Sequence, residues 1–170
     1  GDLKGSRATI EGGKIVAVEP AGCPAGTTVL VKNLFFNTPA RRKAMKSPSS
    51  EGSLCGELVS RLALARPDIR YEMKIRGRRV FYSPGSGRLL DAVTAVYGKQ
   101  LAKEMLPVSS AEPGISLTGL TGKPSLSRSS RSHITITING PYVGCQVITP
   151  SIEEAYRFLL PLGRSPVTVL

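Results

Sequence analysis

One histidine, His133, and three widely spaced cysteines, Cys23, Cys55 and Cys145, are all the imidazole and thiol in the 170 residues. No CxxC pair occurs, so an ordinary structural zinc site lacks ligands and no metal is expected. The odd, scattered cysteines also argue against a disulfide scaffold and fit a reducing compartment. Gly119-Leu120-Thr121-Gly122-Lys123-Pro124 puts two residues between its glycines where a phosphate-cradling P-loop needs about four. There is no GxGxxG after a strand, no GxSxG and no HExxH. His133 opens a strand-like run and is expected to be packed or on the surface, not part of a triad. Glu153-Glu154 is expected to be helix N-terminal charge set against the dipole. These residue types give no complete catalytic constellation.

Basic side chains are the abundant chemistry. Lys and Arg number 23 against 12 Asp and Glu, a formal charge of +11. Arg41, Arg42, Lys43 and Lys46 fall within six residues, and Arg70, Lys74, Arg76, Arg78 and Arg79 within ten. From Pro113 to Ile152 there is no carboxylate, while Lys123, Arg128 and Arg131 are present. Such a balance attracts polyanions, most often nucleic acid; a solvated basic face is the plainer alternative. Four Phe, five Tyr and no Trp disfavour a stacking platform for single strands. Phosphate contacts are expected over base readout. No run approaches the ~18 apolar residues of a membrane span, and Gly1-Asp2-Leu3-Lys4 carries no leader-like apolar region, so neither membrane nor secretory signal is expected.

The elements that must position these cations emerge from periodicity and turn chemistry. Residues 6–10 and 14–19 form a hairpin around Gly12-Gly13. Thr27–Leu34, apolar on both faces, reads as a central strand. Thr38 is placed as an N-cap, with Pro39 at the first position of a short basic helix. Residues 51–65 form a second helix, with Leu54, Leu58, Leu62 and Ala65 on one face, stopped by Pro67. Beyond it Tyr71, Met73 and Ile75 alternate with charges, and Gly77 turns the chain into 78–83. Ser86 caps a helix over 87–97 ended by Gly98, with a further turn at 99–104. Strands are expected at 105–110, 114–121 and 134–138, with a turn at Asn139-Gly140. Thr149 caps a helix begun by Pro150, whose Ile152, Ala155, Tyr156 and Leu159 face the core, and 166–170 open another strand.

The segment Gly26-Thr27-Thr28-Val29-Leu30-Val31-Lys32-Asn33-Leu34-Phe35-Phe36-Asn37-Thr38-Pro39-Ala40-Arg41-Arg42-Lys43 resembles a motif of the MutL family of DNA mismatch repair proteins, usually GTxVxVxxLFxNxPARRKFL. Leu62-Ala63-Leu64-Ala65-Arg66-Pro67, Ser83-Pro84-Gly85, Val96-Tyr97-Gly98, Ile138-Asn139-Gly140, Tyr156 and Gly163-Arg164-Ser165-Pro166 agree with later family stretches. The resemblance covers nearly the whole chain and is weakest around 44–56 and 99–131. It departs at Ala44 (usually Phe), Pro141 (usually Arg), Gln146 (usually basic) and Arg76-Gly77 (usually Asn-Gly).

The resemblance implies an α+β fold, an α/β sandwich. Residues 1–66 would be the C-terminal remnant of a gyrase and histidine-kinase type ATPase domain. Residues 67–170 would be an incomplete transducer domain with a left-handed βαβ crossover, as in gyrase B, against the usual right hand. Gly26 and Thr27 would be the family's last nucleotide motif, on the adenine side; the plainer alternative for Thr27 is a β-branched strand residue. ATP and Mg would belong to the intact protein, with no cofactor expected for this fragment and no hydrolysis by it alone. Lys43 and Arg61, supported by Arg41, Arg42, Arg70 and Arg131, would bind double-stranded DNA without sequence preference. The implied partners are a mismatch sensor of the MutS type and a second copy in a homodimer, in the cytoplasm and with the nucleoid if bacterial. Two rivals remain: a stand-alone basic nucleic-acid-binding module of ribosomal type, and the matching part of gyrase B.

Overall fold

Apolar side chains occupy two different settings in this chain. A computed structural model describes residues 4–143 and 147–170. Contacts divide the chain into a unit ending at Ser47 and a second unit, Pro48–Leu170, in which the long helix before Pro67 is grouped with the residues after it.

In the first unit β1 (Lys4–Glu11) and β2 (Lys14–Gly22) pair antiparallel, with a bulge between Thr9 and Ile10. Gly12 and Gly13 turn the hairpin at φ 56° and 85°, values that suit the twist of the strands and favour glycine. The strand expected over 27–34 is absent: these residues join no ladder, and Val29, Leu30 and Val31 are 79%, 75% and 67% exposed. A strand apolar on both faces needs hydrogen-bonding neighbours and covering layers, and no described element supplies them. Helix α1 (Pro39–Ala44) starts with proline where expected, behind Thr38. The Thr38 hydroxyl makes no cap bond; at φ −135° and ψ 74° it is turned away, and its Oγ1 is buried without a partner. Asn33 and Phe35 enter the helix with φ 50° and 63°. Asn tolerates that region, whereas a bulky Phe there stores strain of about 1–3 kcal/mol.

The second unit holds a core. Helix α2 (Pro48–Ala65) begins three residues earlier than the sequence pattern suggests. Its leucine stripe is not its buried face: Leu54, Leu58 and Leu62 are exposed, while Ala63 and Leu64 are buried. The helix buries residues only in its last turns and meets β3 earlier through small residues such as Gly52, beside the Ile75 side chain, so the stripe carries apolar surface outward. The hairpin β3 (Tyr71–Ile75) and β4 (Arg78–Ser83) comes next, as expected. Arg76 and Gly77 at φ 50° and 76° make its turn, so a non-glycine residue adopts the left-handed conformation. Gly85, at φ 73°, has no room for a side chain, since a Cβ would lie 2.5 Å from the backbone nitrogen of Arg70.

Helix α3 (Leu89–Tyr97) is shorter than expected, and Ser86 acts just ahead of it, accepting from the Arg88 N–H at 3.3 Å and donating to Asp91 at 2.7 Å. Gly98 ends it and α4 (Lys99–Ala102) is the further turn. The hairpin β5 (Met105–Glu112) and β6 (Ile115–Gly122) runs in unbroken register around Pro113-Gly114. Of the strand expected at 134–138 only β7 (Ile134–Thr135) belongs to the sheet, because the chain is already turning: Ile138 N–H bonds to the Pro141 carbonyl, and Thr137 bridges to Tyr142. Helix α5 (Ile148–Ala155) begins two residues before Pro150, so Thr149 is inside it and the two glutamates are past its first turn. Ile152 and Tyr156 are half-buried, but Ala155 and Leu159 are exposed. Cys145 and Gln146 lie outside the described residues.

The sheet order is β5-β6-β8-β7, with β8 (Thr168–Val169) antiparallel to β6 and parallel to β7. The parallel β7–β8 pair with α5 between its strands in sequence is a βαβ crossover. Leu64, Ala92, Val93, Leu101 and Ala102 from the helices meet Met105, Val167 and Val169 from the strands, a mixed α+β core. Thr121 joins Tyr156 at 2.7 Å and Thr168 at 2.9 Å, and the Tyr156 hydroxyl reaches the Gly122 carbonyl at 2.8 Å, tying the end of α5 to the sheet. His133 stacks on Tyr97, ring centroids 5.4 Å apart. Burial, then the nearby Arg128, pushes its pKa down, while burial pushes the Tyr97 phenol up.

Truncating Val93, which is 0% exposed, to Ala is expected to lower unfolding stability in urea by on the order of 2 kcal/mol. Leu30→Ala is expected to stay within about 0.5 kcal/mol. Because the folded His133 resists protonation more than the unfolded chain does, stability should fall as pH drops from about 7 through about 6.5. His133→Gln should flatten that slope, which lies above the range where Asp68 and Glu72, held low by cationic partners, matter.

Candidate nucleic-acid interface

Every side chain of α1 is exposed, and Arg41, Arg42 and Lys43 lie in its last turn, where cations complement the helix dipole. No Asp or Glu occurs from Pro20 to Ser50. No carboxylate partner meets Arg41, Arg42 or Lys43 among the described residues. Their charge is therefore presented to solvent undiminished by local pairing.

Arg61 sits half-buried on α2. Its guanidinium lies 5.3 Å from the ring centroid of Tyr142, a cation–π contact that holds the planar group without neutralising it. The Asn139-Gly140 turn, at φ 52° and 108°, folds the chain back so that Tyr142 is in place to do this. Tyr142 was not legible as a site residue. The only signal was its position just past Asn-Gly, where the family pattern puts Arg and this chain has Pro141.

The other two candidates hold carboxylates. Arg131 makes a fork-like pair with Glu153 at 2.7 and 2.8 Å, and Ser165 also reaches Glu153. Glu153 is thus a tether between the loop before β7 and α5, not helix N-terminal charge. Arg70 pairs with Glu72 at 3.2 Å, and Glu72 also takes Lys74 at 3.0 Å. Arg66 clamps Asp68 at 2.7 Å, which raises the guanidinium pKa and lowers the carboxyl; both groups are more than half exposed, so the pair adds little stability. Arg41, Arg42, Lys43 and Arg61 thus keep their charge without a carboxylate partner among the described residues, whereas Arg70 and Arg131 do not.

Gly26 and Thr27 are exposed, and Gly26 takes φ 133°, with open space where a Cβ would be. A groove of about 560 Å³ between α2 and the β3–β4 hairpin is lined by Gly52, Gly56, Met73, Ile75, Val80 and Phe81 among others; its walls are mainly small and apolar. Among the described residues no cluster of His, Cys, Asp and Glu could hold a metal ion, and no helix is long and apolar enough to cross a membrane.

The sequence matches the family described as DNA mismatch repair protein, C-terminal domain, over residues 93–170. It is 60% identical to the DNA mismatch repair protein MutL of Pelotomaculum thermopropionicum over 99% of this chain and 28% of that protein. It is 45% identical to MutL of Geobacter sulfurreducens over 100% of this chain and 28% of that one. The chain thus spans about a quarter of the length of these relatives. Among solved structures, the Aquifex aeolicus MutL ATPase domain complexed with ADP superposes with a TM-score of 0.72 at 23% identity, over 98% of this chain and 62% of that chain, a likeness of fold. Neither the ribosomal-type module nor gyrase B is favoured by these similarities.

If Tyr142 holds Arg61 ready for an anion, Tyr142→Ala is expected to weaken binding to a DNA duplex roughly two- to fivefold, the scale of an exposed cation–π contact. Tyr142→Phe should keep wild-type affinity in the same anisotropy titration.

Proposed function

We propose a function for this chain from one premise: it belongs to the MutL family of DNA mismatch repair proteins. Within a longer mismatch repair protein it contributes non-specific binding of double-stranded DNA and relays nucleotide state. The observation that carries this proposal is the exposed basic helix Pro39–Ala44 in a stretch free of carboxylates, on a chain 60% identical to a MutL protein over nearly its whole length. Lys43 and Arg61 are the principal contacts, with Arg41, Arg42 and Arg70 adding field. Arg131 would contribute only by exchanging Glu153 for phosphate.

The physics is counterion release. A cation that replaces condensed counterions on the duplex gains free energy from their dilution, with no need to read bases. Guanidinium groups suit this role because their fork matches phosphate oxygens. ATP, with Mg, would be bound by other parts of the longer protein, where it supplies a ligand that biases two conformations. Gly26 and Thr27 are proposed to stand on the adenine side of that site once the exposed 27–34 segment is paired in a sheet. A second copy in a homodimer and a mismatch sensor of the MutS type are the proposed partners, in the cytoplasm and near the nucleoid.

Fluorescence anisotropy of a labelled duplex, titrated at several salt concentrations, tests this. Contact with three to five phosphates predicts log K falling against log salt with a slope of roughly −3 to −5, and little sequence preference. The double variant Lys43→Glu/Arg61→Glu should bind more weakly, and no loss would retire both assignments. A clear preference for structured RNA would count against a repair role. The 170-residue chain is expected to hydrolyse no ATP above background.

A further inference from the structure

The β3–β4 hairpin sets Glu72, Lys74, Arg79 and Tyr82 on one face and Met73, Ile75 and Phe81 on the other, while Arg76 at the turn also lines the groove and Arg78 opposes Ile75. Met73, Ile75, Val80 and Phe81 line the groove beside α2. The register shifts between Met73 and Lys74, so that Met73 opposes Phe81 while Lys74 opposes Arg79, with Val80 as the extra residue. That bulge turns Arg79 onto the face that carries Lys74 and Tyr82. There the guanidinium of Arg79 lies 5.1 Å from the Tyr82 ring centroid, and that of Arg70 lies 5.3 Å from the same ring. One aromatic ring thus carries two guanidinium groups. Arg76 and Arg78 flank the turn, both exposed.

This face holds one carboxylate, Glu72, shared between Arg70 and Lys74. Against it on the same face stand Arg70, Lys74 and Arg79, three minus one, or +2, and the turn residues Arg76 and Arg78 at its edge bring residues 70–79 to five minus one, or +4. Lys74 directly opposes Arg79, a like-charge cross-strand pair that disfavours the hairpin when no anion is present. A polyanion laid on this face would relieve the repulsion. Because Tyr82 already carries guanidinium groups, it is a poor platform for an unstacked base. Tyr82 is also the one large apolar surface on the charged face, which disfavours insertion into a bilayer.

We propose that the outer face and turn end of this hairpin are a second binding surface for the sugar-phosphate backbone of a nucleic-acid duplex, built from Arg70 and Arg79 held on Tyr82, with the exposed turn residues Arg76 and Arg78 reaching it from the edge. It shares Arg70 with the contacts proposed above and is separate in element from Lys43 on α1 and Arg61 on α2. It rests on the duplex-binding function proposed above. The stacked guanidinium groups are partly ordered before contact, so less rotamer freedom is lost on meeting phosphate.

The test compares the 170-residue chain with Arg76→Gln/Arg78→Gln/Arg79→Gln, Tyr82→Ala and Tyr82→Phe, using a labelled duplex across salt concentrations. Circular dichroism checks that each variant keeps its fold. The triple variant is expected to bind at least about tenfold more weakly at ~0.1 M salt, with a slope shallower by about 2–3. Tyr82→Ala should weaken binding and Tyr82→Phe restore it. If the wild type binds and the triple variant matches it in affinity and slope, the second surface is wrong while duplex binding stands. If the wild type binds no duplex, the function proposed above fails and takes this surface with it. Loss of binding to vesicles containing an anionic lipid, with duplex affinity unchanged, would overturn the choice of ligand.

Discussion

With 23 basic side chains against 12 acidic ones, the cations cannot all be paired internally, and where the few carboxylates are placed decides which cations stay available. Asp68, Glu72, Asp91, Glu104, Glu153 and Glu154 are engaged by Arg66, Arg70 and Lys74, Arg88, Lys123, Arg131 and Arg157. All of these pairs lie in the second unit, and in the first Arg7 meets Glu19 at 3.7 Å, away from the basic helix in sequence. Exposed pairs of this kind contribute little to stability, but they remove local charge. What remains is concentrated on α1, at Arg61 and on the β3–β4 hairpin. In two of these places a tyrosine orders the cation in place of a carboxylate, so geometry is fixed while charge is kept.

The apolar residues obey a parallel constraint. In the second unit they bury one another between helices and a four-stranded sheet. In the first, Val16, Val18, Val29, Leu30, Val31 and Phe36 all remain more than half exposed. A hairpin and one short helix offer too little surface to cover them. The strain at Phe35 and the unpartnered Thr38 hydroxyl belong to the same segment, just ahead of the basic helix. The exposed leucines of α2 extend the pattern into the second unit.

Much of the fold was legible in the residues. Gly12-Gly13, Gly77, Gly98 and Asn139-Gly140 mark turns because each needs a left-handed conformation, and alternation at Tyr71, Met73 and Ile75 marks a strand. What misled was local pattern without its neighbours. Thr27–Leu34 has the composition of a central strand, yet a ladder depends on other strands. Leu54, Leu58 and Leu62 make a helical stripe, yet burial depends on what lies opposite. Thr149 and Pro150 form a good helix start by type, but the helix begins two residues earlier, at Ile148. For the interface, clustering showed the basic segments at once, and the family resemblance pointed to Lys43 and Arg61. The partners that separate them from Arg131 and Arg70 come from distant sequence: Glu153 is 22 residues beyond Arg131, and Tyr142 meets Arg61 only through the fold.

The most direct test is a two-dimensional NMR titration of the isotope-labelled chain with a short duplex, tracking backbone amides and arginine side chains. Cations without carboxylate partners are predicted to respond first and most strongly, at residues 41–43, Arg61 and the hairpin turn from Arg76 to Arg79, while Arg66, clamped to Asp68, stays unmoved. Shifts confined to the paired cations, or spread evenly over all basic residues, would contradict the account.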